Sequence, residues 1–247
     1  MNRLGAGLAL AAIVLSPTPR IEGPIGSGAG SAWLLRPKGT VQSVVVFAHG
    51  WKLAPPSRAH PWVAQFGPWL AHLVAGGNAV IFPRYQLGGD AAGPATIAAF
   101  RRGLQLGFRR LGRPDVPVIA VGYSYGASLV FYYAAEAHRW GLRVPQAVDS
   151  IFPVGPIPGA PLPALPASLR VLIEVGDRDT SAGRSGAEAW WTLLRRQPQE
   201  RKRFVVVHSL PGFEADHAAP KSSGLAARRA FWAPLDHLVA QARAASG

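Results

Sequence analysis

The chain has 247 residues, enough for one large domain or two small ones, and the even spacing of its apolar runs favours one. Hydrophobic residues make up 49% and charged residues 16%, which excludes global disorder, and the absence of cysteine excludes disulfides, a cysteine nucleophile and thiolate metal sites. The net charge of +13 favours attraction to anionic surfaces. Because the basic residues are scattered and form no recognisable module, we expect no specific nucleic-acid partner.

The N-terminal segment resembles an export signal. Asn2 and Arg3 precede an apolar stretch over residues 4–15, which is too short to span a bilayer comfortably. Pro17 and Pro19 crowd the expected cleavage position, so an uncleaved anchor that associates with a membrane, and an incorrectly assigned start in a cytoplasmic protein, are alternatives. The predicted organisation is an export signal or anchor over residues 1–22, a Gly-, Pro- and Ser-rich linker over 23–31 and a folded domain over 32–247.

From residue 32 onward, short β-rich runs alternate with longer helix-compatible segments. The runs are mostly apolar along their whole length, as strands buried on both faces of a parallel sheet must be. Strands are predicted over residues 41–48, 79–82, 116–121, 147–152, 171–175 and 204–207. Helices are predicted over residues 62–75, 94–111, 125–140, 187–196 and 225–243, the last kinked or interrupted at Pro234. This order predicts an α/β fold: a doubly wound, mostly parallel sheet with helices on both faces.

The pentapeptide over residues 122–126, Gly-Tyr-Ser-Tyr-Gly, lies between a predicted strand and a predicted helix. It matches the pattern of a nucleophile elbow, in which a strained backbone exposes the serine hydroxyl at the strand end. The residues two before and two after the serine must then be small, and Gly122 and Gly126 meet that need. The alternative is an ordinary turn, because this pattern also arises by chance in a chain with 28 glycines.

Ser124 would need a base within hydrogen-bond distance and an acid that orients the base, because a serine hydroxyl is a weak nucleophile. Two carboxylates, Asp177 and Asp179, follow the predicted strand 171–175, and His217 follows the last predicted strand. The order serine, aspartate, histidine is the one used on doubly wound hydrolase sheets.

Other residues near predicted strand ends are weaker candidates. Arg84 and Tyr85 follow the strand over 79–82 on the ligand-binding side of the sheet, so substrate contact is one interpretation and ordinary loop packing is the other. The proline-rich segment 153–166 is too short for a cap domain, and we interpret it either as a loop that borders the site or as a passive surface connection. No metal or nucleotide motif competes, so we expect no metal and no cofactor.

From about residue 32 to the C-terminus the chain resembles the α/β-hydrolase superfamily. The matching segments are VVVFAHGW over residues 44–51, the elbow over 122–126, Gly-Asp-Arg-Asp over 176–179 and Asp-His over 216–217. The resemblance implies Ser124 as nucleophile, His217 as base and a minimal or absent cap. It implies Asp179 as the acid, because the family's acid usually lies three residues after the strand-end glycine, and it leaves Asp177 as the runner-up that more readily holds the turn.

The resemblance also implies two main-chain donors for the oxyanion of the substrate. They are the amides of Trp51 and Tyr125, and losing one such donor typically costs about 3 to 4 kcal/mol of transition-state stabilisation. Together these residues predict a serine hydrolase that cleaves a small-molecule carboxylic ester through an acyl-enzyme intermediate. Thioesterases and amidases use the same residues, and a non-catalytic relative that binds a ligand or partner at the same place is the rival hypothesis.

Overall fold

The computed structural model describes residues 20–53 and 62–246 of the chain. Its centre is an eight-stranded sheet with the strand order β1-β2-β4-β3-β5-β6-β7-β8. The strands are β1 (Arg20–Ile25), β2 (Ser31–Arg36), β3 (Ser43–Ala48), β4 (Asn78–Arg84), β5 (Val118–Tyr123), β6 (Ala147–Ile151), β7 (Arg170–Gly176) and β8 (Lys202–Val207). Strands β3 to β8 run parallel, and β1 and β2 add an antiparallel edge.

Helices cover both faces of this sheet. They are α1 (Gly67–Ala75), α2 (Pro94–Leu111), α3 (Tyr125–Glu136), α4 (Ser185–Leu193), α5 (Leu225–Ala227) and α6 (Ala233–Ala244), with a 3₁₀ turn over Trp62–Phe66 and a π-helical turn over Arg228–Trp232. The fold is therefore the doubly wound, mostly parallel α/β arrangement that the sequence predicts.

Alternate residues of the central strands explain the two layers. In β3, Val44 and Val46 pack into the core beneath α2, α3 and α4, whereas Val45 and Phe47 pack into the core beneath α1 and α6. All residues of β3 and β5 are buried, so a continuous apolar run is what each strand requires. The parallel strands thereby bring their carboxyl ends to one edge, where the loops that carry polar residues gather.

The N-terminal edge corrects the predicted linker over residues 23–31. Residues 20–25 form β1, which pairs with β2 through Ile21 opposite Leu35 and Ile25 opposite Ala32, with a bulge at Gly23 and Pro24. β1 is mostly exposed, so its sequence lacks the apolar run that would mark it as a strand, and its glycine and proline resemble those of a linker. Residues 1–19 of the predicted export segment lie outside the described residues.

Two further features concern helices. The irregularity predicted at Pro234 takes the form of a π-helical turn directly before α6, and the helical backbone continues from this turn into α6, where Pro234 lies in the first turn. Within residues 20–53 and 62–246, none of the helices has both the length and the apolar character needed to cross a bilayer.

Candidate active site

Ser124 stands at the junction of β5 and α3 with φ 57° and ψ −120°, a backbone conformation that is unfavourable for a residue with a side chain. Its amide donates a 2.8 Å hydrogen bond to the carbonyl oxygen of Ile151 at the end of β6. The side chain is buried among its neighbours, with the residue 6% exposed. The sheet therefore holds this serine in a strained conformation at the carboxyl edge.

The two glycines of the pentapeptide are required by close backbone contacts. A Cβ atom on Gly122 would lie 2.2 Å from the carbonyl oxygen of Gly126, and one on Gly126 would lie 2.3 Å from the carbonyl oxygen of His49. Neither position has room for a side chain, because the contacting atoms belong to the main chain and cannot move independently of the sheet. The strand and helix thus approach as an elbow requires.

Three side chains from separate loops form a continuous hydrogen-bonded series. The hydroxyl of Ser124 donates to Nε2 of His217 with a separation of 3.0 Å, and the Nδ1–H of His217 donates to Oδ2 of Asp179 over 2.9 Å. The Asp179 side chain is 1% exposed and that of His217 is 25% exposed. The arrangement can move a proton from the serine to the histidine while the carboxylate fixes the ring.

The surroundings of Asp179 keep it ionised. Burial opposes its negative charge, but hydrogen bonds from His217 and from the amides of Ala182 and Ser181 outweigh burial and hold the pKa of this carboxyl below its usual range. The two amides bind Oδ1 over 3.1 Å and 2.8 Å, which leaves Oδ2 for the histidine. Each oxygen therefore has a separate set of donors.

The carboxylate of Asp177 binds residues other than His217. Its carboxylate accepts hydrogen bonds from the Ser209 amide at 3.0 Å and the Ser209 hydroxyl at 2.6 Å, and it lies 3.5 Å from Nδ1 of His208. The Ser209 hydroxyl in turn accepts a hydrogen bond from the amide of Ala215. Asp177 therefore ties the loop after β7 to the segment that leads to His217, and it is Asp179 that contacts the imidazole.

The loops of Asp179 and His217 meet through a glycine. A Cβ atom on Gly176, the last residue of β7, would lie 1.9 Å from the carbonyl oxygen of Ala215, two residues before His217. The Tyr123 ring centroid lies 5.0 Å from that of His217, and the Tyr123 hydroxyl donates a hydrogen bond to the main-chain carbonyl of His217. Sequence reasoning did not identify Tyr123, whose only signal is its position next to Ser124.

The loop after β3 lies against the serine. A Cβ atom on Gly50 would lie 2.8 Å from the ring of Tyr123 and 3.1 Å from Cβ of Ser124. Trp51 follows, with its ring centroid 4.7 Å from that of Tyr125. Neither the Trp51 nor the Tyr125 amide donates a hydrogen bond to any residue that the structure describes, so both are available to a ligand.

Gln86 fixes this loop. This residue was not identified from the sequence. The Lys52 amide donates to Oε1 of Gln86 over 3.0 Å, and Nε2 of Gln86 donates to the Lys52 carbonyl over 2.8 Å. The glutamine is fully buried. This paired contact resembles a β-ladder and holds the residue after Trp51 in place.

Tyr85, predicted as a substrate contact, is instead a buried support. It is 1% exposed, its hydroxyl donates a 2.7 Å hydrogen bond to the carbonyl of His49, and its ring stacks on that of His49 with centroids 4.4 Å apart. Burial lowers the pKa of His49 to about 3, so this imidazole stays neutral, and its Nδ1 donates to the Gly50 carbonyl. His49 thus braces the loop.

Arg84 likewise binds protein rather than open space. Its Nε and one terminal nitrogen both donate to the carbonyl oxygen of Gly28, over 3.0 Å and 2.8 Å, and its guanidinium lies 5.7 Å from the ring centroid of Trp33. These contacts fasten the β1–β2 turn to the end of β4. The substrate contact predicted for Arg84 is therefore not supported by its position.

The proline-rich segment 153–166 contains neither helix nor strand, and its backbone is fixed at two points. The amide of Ile157 donates to the hydroxyl of Tyr132, and a Cβ atom on Gly186 in α4 would lie 2.4 Å from the carbonyl of Pro153. Within residues 20–53 and 62–246, no group of three or more histidine or acidic side chains is arranged to hold a metal ion.

No protein-family model matches the chain, and no curated protein matches its sequence. Solved structures do resemble it. An esterase from Rhizomucor miehei superposes with a TM-score of 0.68 at 16% identity, covering 94% of this chain and 86% of that one. Esterase B from Lactobacillus Rhamnosis gives 0.65 at 13% identity, with coverage of 92% and 88%.

A third structure carries the fold's name. MGS-M1, described as an α/β hydrolase enzyme from a deep-sea metagenome library, superposes with a TM-score of 0.64 at 14% identity and covers 92% of this chain and 98% of that one. In all three comparisons the similarity covers more than nine-tenths of this chain. The chain therefore has the α/β-hydrolase fold.

Proposed function

We propose that the protein is a serine hydrolase that cleaves carboxylic esters through an acyl-enzyme intermediate. The observation that carries this proposal is the hydrogen-bonded series from Ser124 through His217 to the buried carboxylate of Asp179, with separations of 3.0 Å and 2.9 Å. Serine, base and acid lie on three different loops at one edge of the sheet. Such a convergence serves no evident packing purpose, and nucleophilic catalysis requires it.

In the first half of the reaction, Oγ of Ser124 attacks the ester carbonyl carbon while Nε2 of His217 takes the hydroxyl proton. The resulting imidazolium gives that proton to the departing alkoxide oxygen, which leaves as an alcohol. Asp179 stays ionised, and its carboxylate stabilises the positive ring through Nδ1. In the second half, His217 activates a water molecule, which attacks the acyl carbon and releases the carboxylic acid and free Ser124.

The carbonyl oxygen becomes negative in each tetrahedral intermediate. We assign the amides of Trp51 and Tyr125 as its donors, because Gly50 packs directly on Ser124 and Tyr125 begins α3. Fixed donors at this position stabilise the developing charge without reorganisation. Gln86 and Tyr85 support the loop that carries the first donor.

An ester is the preferred substrate class for two reasons. Two of the structural relatives are described as esterases, and the segment between β6 and β7 is an irregular loop rather than a cap domain, which favours an accessible site. Thioesters and amides would use the same residues with a different leaving atom. An alkoxide or phenoxide leaves more readily than an amide nitrogen, so esters are less demanding substrates than amides.

Hydrolysis of p-nitrophenyl acetate, butyrate and octanoate by the full chain tests the proposal, with Ser124→Ala in parallel. We expect a rate that depends on acyl length, a rapid initial release of p-nitrophenol as the acyl-enzyme accumulates, and loss of both in the variant. Equal progress curves from the two proteins would contradict the ester proposal and favour a binding protein with this fold.

A further inference from the structure

Two lysines lie close in sequence to residues of the candidate active site. Lys221 lies four residues after His217, and Lys52 follows Trp51 directly. We propose that Lys52 and Lys221 form a subsite for a carboxylate or phosphate group carried by the alcohol part of the substrate. This inference rests on the proposed ester hydrolysis and adds the charge class of the substrate to it.

Lys221 is positioned by the same ring that holds His217. Its ammonium nitrogen lies 5.4 Å from the ring centroid of Tyr123. The centroid of the His217 ring lies 5.0 Å from the same Tyr123 centroid. Lys221 is exposed, and its ammonium donates no hydrogen bond to any residue in the described part of the chain. Among the described residues this charge near the candidate base therefore has no hydrogen-bonding partner, and it is available to a ligand.

Lys52 is fixed through both its main chain and its side chain. Gln86 fixes its main chain, and its ammonium donates one hydrogen bond to Oε1 of Gln65 in the 3₁₀ turn before α1. An ammonium group has three N–H donors, so two remain after this contact. The ammonium group of Lys52 is thus held by a neutral partner.

Both lysines lie around the Tyr123 ring: Lys221 lies over this ring, and Lys52 binds the residue next to Phe66, whose ring packs against Tyr123 at 5.8 Å. Burial and the charge of Lys221 lower the pKa of Lys52 to about 8. In the described residues neither lysine has a carboxylate within ion-pair distance, and the sequence of residues 54–61 contains no aspartate or glutamate. Like charges held together at a site edge, without a protein counterion, match the requirement of an anionic ligand.

The position of His217 indicates which part of the substrate carries the anion. Its Nε2 must protonate the departing oxygen, so the alcohol leaves beside the imidazole. Lys221 shares the Tyr123 ring with that imidazole. An acidic group on the alcohol would therefore reach the lysines while the acyl chain points away from them.

Matched substrates test this placement. They are 4-acetoxybenzoate, which is anionic, and 4-acetoxybenzamide, which is neutral and of similar size. The measured quantity is the ratio of kcat/KM for the anionic ester to kcat/KM for the neutral ester, because intrinsic differences in reactivity cancel when the ratio is compared between variants. The variants are Lys221→Met, Lys52→Met and Lys221→Arg. The control is Lys38→Met, which makes an equal charge change in the exposed turn before β3.

We expect the ratio to fall about tenfold in Lys221→Met and Lys52→Met, to stay near the wild-type value in Lys221→Arg and Lys38→Met, and to fall with added salt in the wild type. Ratios that are equal in wild type, Lys221→Met and Lys52→Met would overturn the subsite. Ester hydrolysis that persists in Ser124→Ala would instead contradict the proposed function.

Calorimetric titration with 4-hydroxybenzoate gives a readout that needs no turnover. We expect the wild type to bind this product about tenfold more tightly than Lys221→Met does. Absence of binding, or equal binding to both proteins, would overturn the subsite whether or not the protein hydrolyses esters.

Discussion

The hydroxyl group of Tyr123 donates a hydrogen bond to the main-chain carbonyl of His217. The residue before the candidate nucleophile thereby holds the loop of the candidate base, and its ring packs against the imidazole at 5.0 Å. Burial, together with the charges of Asp179 and Asp216, raises the pKa of Tyr123, so this hydroxyl remains a donor. The strand end therefore sets the positions of both candidate side chains.

Removing that hydroxyl should weaken catalysis more than it weakens the fold. In Tyr123→Phe we expect kcat to fall about threefold to tenfold with KM little changed, because one hydrogen bond contributes about 1 kcal/mol. Steady-state hydrolysis of p-nitrophenyl butyrate measures this effect. The matched control is Tyr133→Phe, which removes a partly buried 2.7 Å hydrogen bond between the last turn of α3 and the Arg143 carbonyl in the loop that follows. Equal losses of kcat in the two variants would assign Tyr123 a general structural role.

The close contact at the elbow predicts a strong response to one methyl group. Gly122→Ala would place Cβ 2.2 Å from the Gly126 carbonyl oxygen, so the strand and helix must separate. We expect loss of activity and a free energy of unfolding lower by about 3 kcal/mol or more, measured by urea titration. Gly39→Ala, which has no atom within 4 Å of the added carbon, should unfold like the wild type. An active, stable Gly122→Ala protein would refute the close approach.

Replacing each of the two carboxylates after β7 should have clearly different effects on kcat. Asp179→Asn loses the charge that stabilises the imidazolium and reverses the preferred ring tautomer, so we expect kcat to fall about 10³- to 10⁴-fold. Asp177→Asn should keep kcat within about threefold, because its carboxylate contacts Ser209 and His208 rather than His217. The same ester assay measures both. A larger loss in Asp177→Asn than in Asp179→Asn would exchange their roles.

A second pair of acids lies away from this site. Asp149 of β6 and Glu174 of β7 are fully buried, and none of their carboxylate oxygens has a hydrogen-bond partner in the described residues. In the sheet register Asp149 lies opposite Leu172 and Ile151 opposite Glu174, so the two acids are diagonal neighbours on the face beneath α6. Burial raises the pKa of both groups, and the nearby charge of Arg203 only partly offsets this for Glu174.

This pair should make stability depend on pH. A carboxyl whose folded pKa is raised keeps a proton that the unfolded chain releases above its ordinary pKa near 4.5, so stability falls as pH rises toward the folded pKa. Glu174→Gln removes that penalty, and we expect it to raise the urea midpoint more at pH 8 than at pH 6. Glu200→Gln, at an exposed position, should leave the slope unchanged. Parallel pH profiles for wild type and Glu174→Gln would contradict a protonated pair.

The central elements were predictable from sequence because both faces of the parallel strands are buried. Continuous apolar runs marked β3 to β8, and helix α2 begins and ends at the predicted residues. The antiparallel edge was not predictable. β1 is mostly exposed and gains its order from pairing with β2, whose Trp33, Leu34 and Leu35 suit a helix as well as a strand.

The residues of the candidate site were likewise predictable only in part. Ser124, Asp179 and His217 follow strand ends in a recognisable order, and the structure brings them together. A position after a strand does not set the direction of a side chain, so the sequence left both substrate contact and ordinary loop packing open for Arg84 and Tyr85, and both bind protein. Supporting contacts such as that of Gln86 with Lys52 depend on tertiary packing and leave no local pattern.

Covalent labelling tests the central claim most directly. Incubation of the full chain with a fluorophosphonate, followed by mass-spectrometric peptide mapping, should give one adduct, on Ser124. The adduct should be absent from Ser124→Ala and should form about 100-fold more slowly in His217→Ala, because the serine then lacks its base. An unlabelled wild-type protein, or an adduct that forms equally fast without His217, would contradict an activated serine at this site.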